Sequence, residues 1–343
     1  MVRVISQETV LEKRRQGTRK ETIPFMLGGK VETVEKNVVN GGMETLEIAK
    51  PLGEMVSYCS TAELKELLRK VVFDVELGRE QVATLYEPIY DTINDPNLPE
   101  ILDAKWAMHG NCVFLEHFEG SEVKFGSISA KEGPTARIKT YTTGFEITKK
   151  MVDFNETFKF EMLNNEMGVA YNALLNHLHL GPIITYEYEA DNKTAFQGSK
   201  EEDRWLGIYK SLKQGITDSR KAKRPGTVLI ANSADELDIM QALRGGQVGG
   251  TIYPALSGIS DIIDYDGCET MVGNKEYSYK GQKPGVVHLV RPKRGFKELV
   301  KRDLTIYRGN ADISRLIEEQ TVGYSYRGVF AAVEENVQEI AIG

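Results

Sequence analysis

The stretch DFNETFKFEMLNNEMGVAYNALLNHLH, Asp153 to His179, decides how the rest of the chain is read. Phe158, Met162, Met167, Ala170, Leu174 and Leu178 recur along it at steps of three to five, the spacing of one helical face. Gly181-Pro182 then predicts a firm stop, because proline has no amide to continue the ladder. About 26 residues at the helical rise make a rod of roughly 39 Å. That is long for a globular protein, and its apolar face needs other elements to cover it.

Just upstream, Val113-Phe114-Leu115, Val123 to Phe125 and Ala136 to Ile147 are rich in β-branched and aromatic residues. The segment Ser127 to Pro134 between them is small, polar and charged, and contains Gly133-Pro134. Two strands running out to a tip and back are predicted. Their alternating residues are only weakly apolar, so the hairpin has no core of its own and must lie on another surface.

Further toward the start, Ser60-Thr61-Ala62-Glu63 is a capping box. The helix it opens carries Leu64, Leu67, Leu68, Val71 and Val75 on one stripe, until Gly78 weakens or ends it. Asp95-Pro96 and Leu98-Pro99 mark turns. The first sixty residues are broken by Gly28-Gly29, Gly41-Gly42, Pro51 and Gly53, with no sustained apolar period. Such an arm cannot bury enough surface to order itself alone. It is expected to be retained and to lie against a neighbouring subunit.

Downstream of the long helix, short helices and strands alternate. Helices are expected at Glu201 to Gly215 and Ser233 to Leu243, the second capped by Asn232 or Ser233. Strands are expected at Thr227 to Ala231, Ile259 to Asp264, Val286 to Val290, Arg302 to Tyr307, Ile317 to Ala332 and Val337 to Ile342. No internal repeat is visible.

Composition is that of a globular protein: 343 residues, 41% hydrophobic and 27% charged. No stretch of 18 apolar residues is present, so no membrane span is expected. Met1 to Lys20 is charged throughout and lacks the core of a signal peptide, so secretion is not expected. Cys59, Cys112 and Cys268 are far apart, which fits a reducing compartment and argues against a disulfide framework or structural zinc. The net charge of −7 is that of no dedicated nucleic-acid reader. Yet residues 1–30 carry seven Lys or Arg against three Glu. A solvated arm is the plainer account; an arm touching phosphate through Arg14, Arg15, Arg19 and Lys20 is the sharper one.

Candidate chemistry is thin. His177 and His179 stand two apart on a helix, so their rings point to opposite sides and cannot share a metal. His109 and His117 flank Cys112 without a further ligand at metal spacing. The strand–turn–helix around Asn232-Ser233 lacks the glycine a phosphate needs. Gly245-Gly246-Gln247-Val248-Gly249-Gly250 follows a helix and has no Lys-Ser/Thr pair, so it is read as a loop at a subunit contact. No nucleophile elbow occurs. Neither an enzyme nor any cofactor is expected.

The order of elements resembles the tailed-bacteriophage major capsid proteins of the Hong Kong 97 type: loose arm, helix, long hairpin, long helix, mixed region, long returning strands. The stretch from Thr140 to Met151 resembles the returning strand of that family's extended loop entering its spine helix. Phe154 to Leu180 resembles the spine helix, with Asn176 to Pro182 its exit. Gly226 to Asn232 resembles the axial-domain strand, and Glu318 to Phe330 the closing strand of the peripheral domain. The likeness covers roughly residues 60–343.

The resemblance implies an α+β fold with an N-terminal arm over residues 1–59 and an extended hairpin loop over 111–145. The peripheral domain with its spine helix takes 60–110, 146–185 and 301–343, and the axial domain 186–300. It implies hexamers and pentamers closing an icosahedral shell around double-stranded DNA, in a virion assembled in the host cytoplasm. Residues 1–60 are too short and irregular to be the cleaved coiled-coil scaffold of some members, so a separate scaffolding protein is expected. A portal protein and a decoration protein are the other implied partners. Lys124, Lys131 and Arg137 are candidate inter-subunit contacts of the hairpin, and Gln247 and Tyr253 of the axial loop. Lys124 or Lys131 with Asn310 resembles the family's isopeptide pair, but no Glu is identified to catalyse the bond, and non-covalent interlock is the reading preferred. An encapsulin-type nanocompartment is the alternative, and a cytoplasmic α/β enzyme a distant third.

Overall fold

A computed structural model describes residues 3–5, 20–27, 30–37, 61–103, 109–111, 127–129, 135–154, 156–199, 203–272, 275–309 and 312–343. In chain order, strands β1 (Arg3–Ile5), β2 (Lys20–Leu27) and β3 (Lys30–Asn37) precede helix α1 (Thr61–Gln81). Strands β4 (Asp91–Asn94), β5 (Ile101–Asp103), β6 (His109–Asn111), β7 (Ser127–Ser129), β8 (Thr135–Arg137) and β9 (Lys139–Thr148) follow. Helices α2 (Lys149–Asp153) and α3 (Thr157–Ile184) come next, then β10 (Lys193–Thr194), α4 (Arg204–Lys221), β11 (Val228–Ala231) and α5 (Glu236–Arg244). Strands β12 (Gly246–Val248), β13 (Thr251–Tyr253), β14 (Asp261–Asp264), β15 (Gly267–Val272), β16 (Lys275–Lys280) and β17 (Val286–Val290) complete the middle region. The chain ends with β18 (Phe296–Gly309), β19 (Ile317–Ala331), α6 (Val333–Asn336) and β20 (Val337–Ala341).

Two sheets organise these elements. A four-stranded sheet runs β4-β18-β19-β9, with the β18–β19 ribbon at its centre. A six-stranded sheet runs β1-β14-β11-β17-β20-β10. The larger sheet is buried on both faces, as alternate residues reveal. Val228, Ile230, Ile263, Val290 and Val337 join a core with α1 and α3, through Val71, Val75, Phe160 and Tyr171. Leu229, Ala231, Ile262, Leu289 and Ile340 join a second core with Ile208 and Leu212 of α4 and Ile239 of α5. One continuous sheet therefore ties the two bodies together, a period-2 pattern with both faces apolar.

The long helix differs from its sequence reading in three respects. Lys149–Asp153 is a separate short helix, with the Thr148 hydroxyl accepting from the Met151 amide. Helix α3 runs through Gly181-Pro182 to Ile184, and the Thr185 amide donates to Gly181 O. Pro182 falls in the last turn, where its missing amide leaves a single carbonyl, that of Leu178, without its ladder bond. The buried face is also turned: Phe160, Asn164, Met167, Tyr171, Asn172, Leu175, Asn176, His179 and Ile183 face inward, while Phe158, Met162 and Ala170 face outward.

The inward asparagines bind the backbone at the end of α1. Asn172 Nδ2 donates to Arg79 O and Val82 O, Asn176 Nδ2 donates to Ala83 O, and Asn176 Oδ1 accepts from the Leu85 amide. These bonds supply partners to carbonyls that a helix C-terminus leaves open. Of the two expectations for Gly78, that it weakens or ends the helix, the second does not hold: α1 continues to Gln81. Instead Gly78 and Gly168 are the points where α1 and α3 touch: a Cβ on either would lie 1.9 Å from a backbone oxygen of the other helix, Asn165 O and Val75 O respectively.

The hairpin is built in two rungs, β5 with β8 at its base and β6 with β7 beyond. It therefore starts near residue 101, ten residues before the expected boundary; the predicted strands within 113–125 lie outside the described residues. The described parts of the arm are not structureless: β2 and β3 form an antiparallel hairpin against β18 and α1, and β1 adds a parallel strand to β14. Backbone pairing within the chain satisfies these pieces, which apolar periodicity does not register. Strand β20, grouped with the peripheral segment from sequence, lies inside the six-stranded sheet with β11, β14 and β17.

A buried charge cluster and the candidate assembly surfaces

Between α3 and the β18–β19 ribbon, the core is ionic. Arg327 of β19 donates through Nη1 to Glu298 Oε1, through Nη2 to Asp303 Oδ1 at 2.5 Å and through Nε to the Tyr171 hydroxyl at 2.8 Å. Glu298 also accepts from Tyr86 at 3.0 Å and Thr92 at 2.8 Å. His179 is fully buried, stacked on Tyr86 with centroids 3.5 Å apart. Its Nδ1 lies 2.6 Å from Leu175 O and its Nε2 3.4 Å from Glu298 Oε1. Arg79 completes the group, paired with Glu76 at 2.7 Å and lying with Arg327 over the ring of Tyr171.

Burial pushes the Glu298 carboxyl up, but His179, Arg327 and Thr92 outweigh it and hold the group at about 2. Burial likewise raises Asp303, and Arg79 and Arg327 reverse it to well below the usual carboxylate range. Tyr171 is pushed up to about 12 by burial and the neighbouring Asp303. The result is a set of fixed charges that clamps helix to sheet. Asp303 sits where the β18–β19 register shifts, between Arg302 and Thr305, and caps the Leu304 amide at 2.7 Å. The cluster thus holds the ribbon's irregularity in place.

The outer faces are where partners can meet the chain. Phe154 and Phe158, each 73% exposed, and Met162, 49% exposed, form an apolar ridge along α2 and the start of α3. Phe158 and Met162 stand four residues apart and share a helical face. At the hairpin base a cleft of about 570 Å³ is lined by Arg137, Ile138, Lys139, Lys301 and Tyr326. Arg137 is exposed there and lies 3.8 Å from Glu100. In the middle region, the β12–β13 hairpin turns at Gly249 and Gly250, both with positive φ. Gln247 is exposed on it, opposite Ile252, which is 74% exposed. Tyr253 instead turns back onto Trp205 and Tyr209 and anchors the hairpin to α4.

Of the other residues singled out from sequence, Arg14, Arg15, Arg19, Lys124, Lys131 and Asn310 lie outside the described residues, and of Lys20 only the backbone in β2 is described. His177 and His179 do point apart: His177 stacks on Tyr279 at 4.5 Å while His179 enters the charge cluster. The cluster and the glycine crossing were both missed. A sequence signal existed for the second, two glycines inside helical stretches; the ionic residues are too far apart in sequence to signal anything. Among the described residues, no group of three ligand-type side chains is placed to hold a metal, and no helix is long and apolar enough to cross a membrane.

No family model matches the chain, and no curated protein is similar to it in sequence. Solved structures are similar in fold. The capsid of Myoviridae phage XM1 superposes with a TM-score of 0.50 at 8% identity, covering 75% of this chain and 91% of that one. The virus-like particle from Pyrococcus furiosus gives 0.52 at 11% identity, covering 80% of this chain and 99% of that one. The chain therefore has the mixed helix-and-strand architecture of the Hong Kong 97-type capsid fold.

Proposed function

We propose that this chain is the major capsid protein of a tailed bacteriophage, a structural subunit with no catalytic role. It assembles as hexamers and pentamers into an icosahedral shell around double-stranded DNA. The observation that carries this reading is the fold, shared over nine-tenths or more of the length of two particle-forming proteins. The apolar ridge of Phe154, Phe158 and Met162 supports it, because aromatic side chains this exposed are costly in a monomer and common in interfaces. On this reading Gln247 and Arg137 lie at subunit contacts, and Arg14, Arg15, Arg19 and Lys20 face DNA. A separate scaffolding protein, a portal and a decoration protein are the partners, and assembly takes place in the host cytoplasm.

Negative-stain electron microscopy of the purified chain, alone and with a candidate scaffold, tests the proposal. Closed shells, tubes or capsomer sheets are expected. Small uniform particles at every concentration would overturn it. Phe158→Asp is expected to leave the melting temperature within about 2 °C, as surface substitutions do, and to abolish shells. A variant that still assembles removes the ridge from the interface. A second reading, an encapsulin-type shell enclosing a protein cargo, is served by the same fold. Co-purification of nuclease-protected DNA supports the first reading, and of a stoichiometric second polypeptide the second.

A further inference from the structure

Two basic turns, about 70 residues apart in sequence, meet at one end of the six-stranded sheet, where β11 begins and β17 finishes. Arg220-Lys-Ala-Lys-Arg-Pro225 ends α4, and Arg291-Pro-Lys-Arg-Gly295 joins β17 to β18. The Arg291 guanidinium donates to Lys223 O at 3.2 Å and fixes one turn against the other. They line a cleft of about 460 Å³.

Some of these cations have structural work. Arg224 donates to Asn192 Oδ1, Gln338 Oε1 and Asp191 O, and Lys293 Nζ donates to Glu87 O and Tyr90 O. Lys223 and Arg294 have no side-chain partner among the described residues, and both are exposed. Burial, and then the like charge of Arg294, depress Arg291 below the ordinary guanidinium value. The two guanidinium groups therefore repel one another, although Glu189, Asp191, Glu334 and Glu335 line the same cleft.

The backbone supplies an independent observation. Among the described residues only three non-glycine residues have positive φ: Lys223 at 59°, Lys293 at 68° and Leu316 at 54°. Two of the three are lysines of these turns. Apart from Leu316, the other described residues at such positions are glycines, including Gly295 at 75° in the second turn. For Lys293 the bonds to Glu87 O and Tyr90 O explain why the side chain is kept. For Lys223 nothing among the described residues does, and left-handed backbone disfavours any residue with a Cβ. Strain retained for a charge points outward, to a ligand.

We propose that Lys223, Arg291 and Arg294 form a binding site for the phosphate backbone of duplex DNA. A duplex presents a charge every 1.7 Å or so of its axis, dense enough to meet three cations at once. A protein carboxylate offers one charge and meets the cleft's own four acids on equal terms. Binding through phosphate alone is independent of sequence, as packaging of a whole genome requires. The biological occupant rests on the shell reading; the binding itself does not.

The test is fluorescence anisotropy of a labelled mixed-sequence duplex with the full chain across a salt series, with Lys223→Gly and the pair Arg291→Gln/Arg294→Gln. The slope of log K against log salt is expected to fall by about 1 for the first variant and about 2 for the second. Lys223→Gly is also expected to raise the melting temperature by about 2 °C through relief of the left-handed lysine. Arg14→Gln/Arg15→Gln controls for the arm, and both decrements should persist on that background. Coincident slopes for parent and variants overturn the site, as does displacement of the duplex by poly-glutamate at equal charge concentration. If coincident slopes accompany normal shells, the site falls and the shell reading stands. If the slopes change but no shells form, the reverse holds.

Discussion

Gly168→Ala is expected to lower the melting temperature by roughly 8 °C and to prevent assembly at physiological temperature. The added methyl would stand 1.9 Å from Val75 O and 2.6 Å from the Arg79 amide nitrogen. Both are backbone atoms of a helix, so neither yields as a flexible side chain would. The two helices must part. Parting pulls Phe160, Met167 and Tyr171 away from Val71 and Val75, and stretches the bonds from Asn172 and Asn176 to the end of α1. Overpacking costs about 1–3 kcal/mol and each strained buried hydrogen bond about 1 kcal/mol more. Gly181→Ala, thirteen residues along the same helix, is the control. Its methyl meets only the His177 ring at 3.4 Å, and alanine is the better helix former by about 1 kcal/mol. Differential scanning calorimetry of the two variants should therefore move in opposite directions. Equal, small shifts would mean that α1 and α3 do not cross at these glycines.

Arg327→Met should be comparably damaging, for a different reason. Methionine fills much of the space but leaves Glu298 buried without its main counter-charge, and removing one partner of a buried pair costs about 3–5 kcal/mol. Asp303 is held less strongly, because its side chain is 40% exposed and partly screened by water. The same cluster sets the acid limit. Glu298 titrates near 4.5 in the unfolded chain and about 2 when folded, so the folded protein holds this proton less tightly. Its contribution, about 3 kcal/mol, is complete above pH 4.5 and lost as pH falls toward 2. Asp303 acts in the same direction. Circular dichroism during acid titration should find Arg327→Met unfolding at a higher pH than the parent. Identical acid midpoints would sink the clamp.

How far the fold was legible follows from where its apolar residues sit. Strand Val286 to Val290 was placed to the residue, and Ile317 to Ala332 to within one, because each is a clear β-branched or alternating run. Helix α3 was recognised as a helix but turned about its axis. Its inward face carries Asn164, Asn172, Asn176 and His179, while Phe158 and Met162 look outward. The strand it packs against repeats the inversion: the buried positions of β19 include Glu319, Thr321, Ser325 and Arg327. Hydrophobic period finds a core by assuming it is apolar, and here the buried faces carry polar side chains. Arg327 binds Tyr171, Glu298 and Asp303, and Asn172 and Asn176 bind the backbone at the end of α1. The exposed Phe158 and Met162 were misread as core because an apolar stripe has the same composition whether the fold covers it or leaves it open. Strand β18 was found only from Arg302 onward, because its register shifts near Val300 and Arg302 break the alternation.

The position of β20 carries a consequence for synthesis. Residues 337–341 lie between β17 and β10, paired with strands made some 50 and 145 residues earlier. Translation proceeds at about 5–20 residues per second, so β17 waits several seconds with one edge bare. An unpaired edge accepts foreign strands. A nascent chain that stops short of residue 337 therefore lacks a complete six-stranded sheet whatever the state of its helices. Emergence of residues 337–341 is the event that completes this sheet.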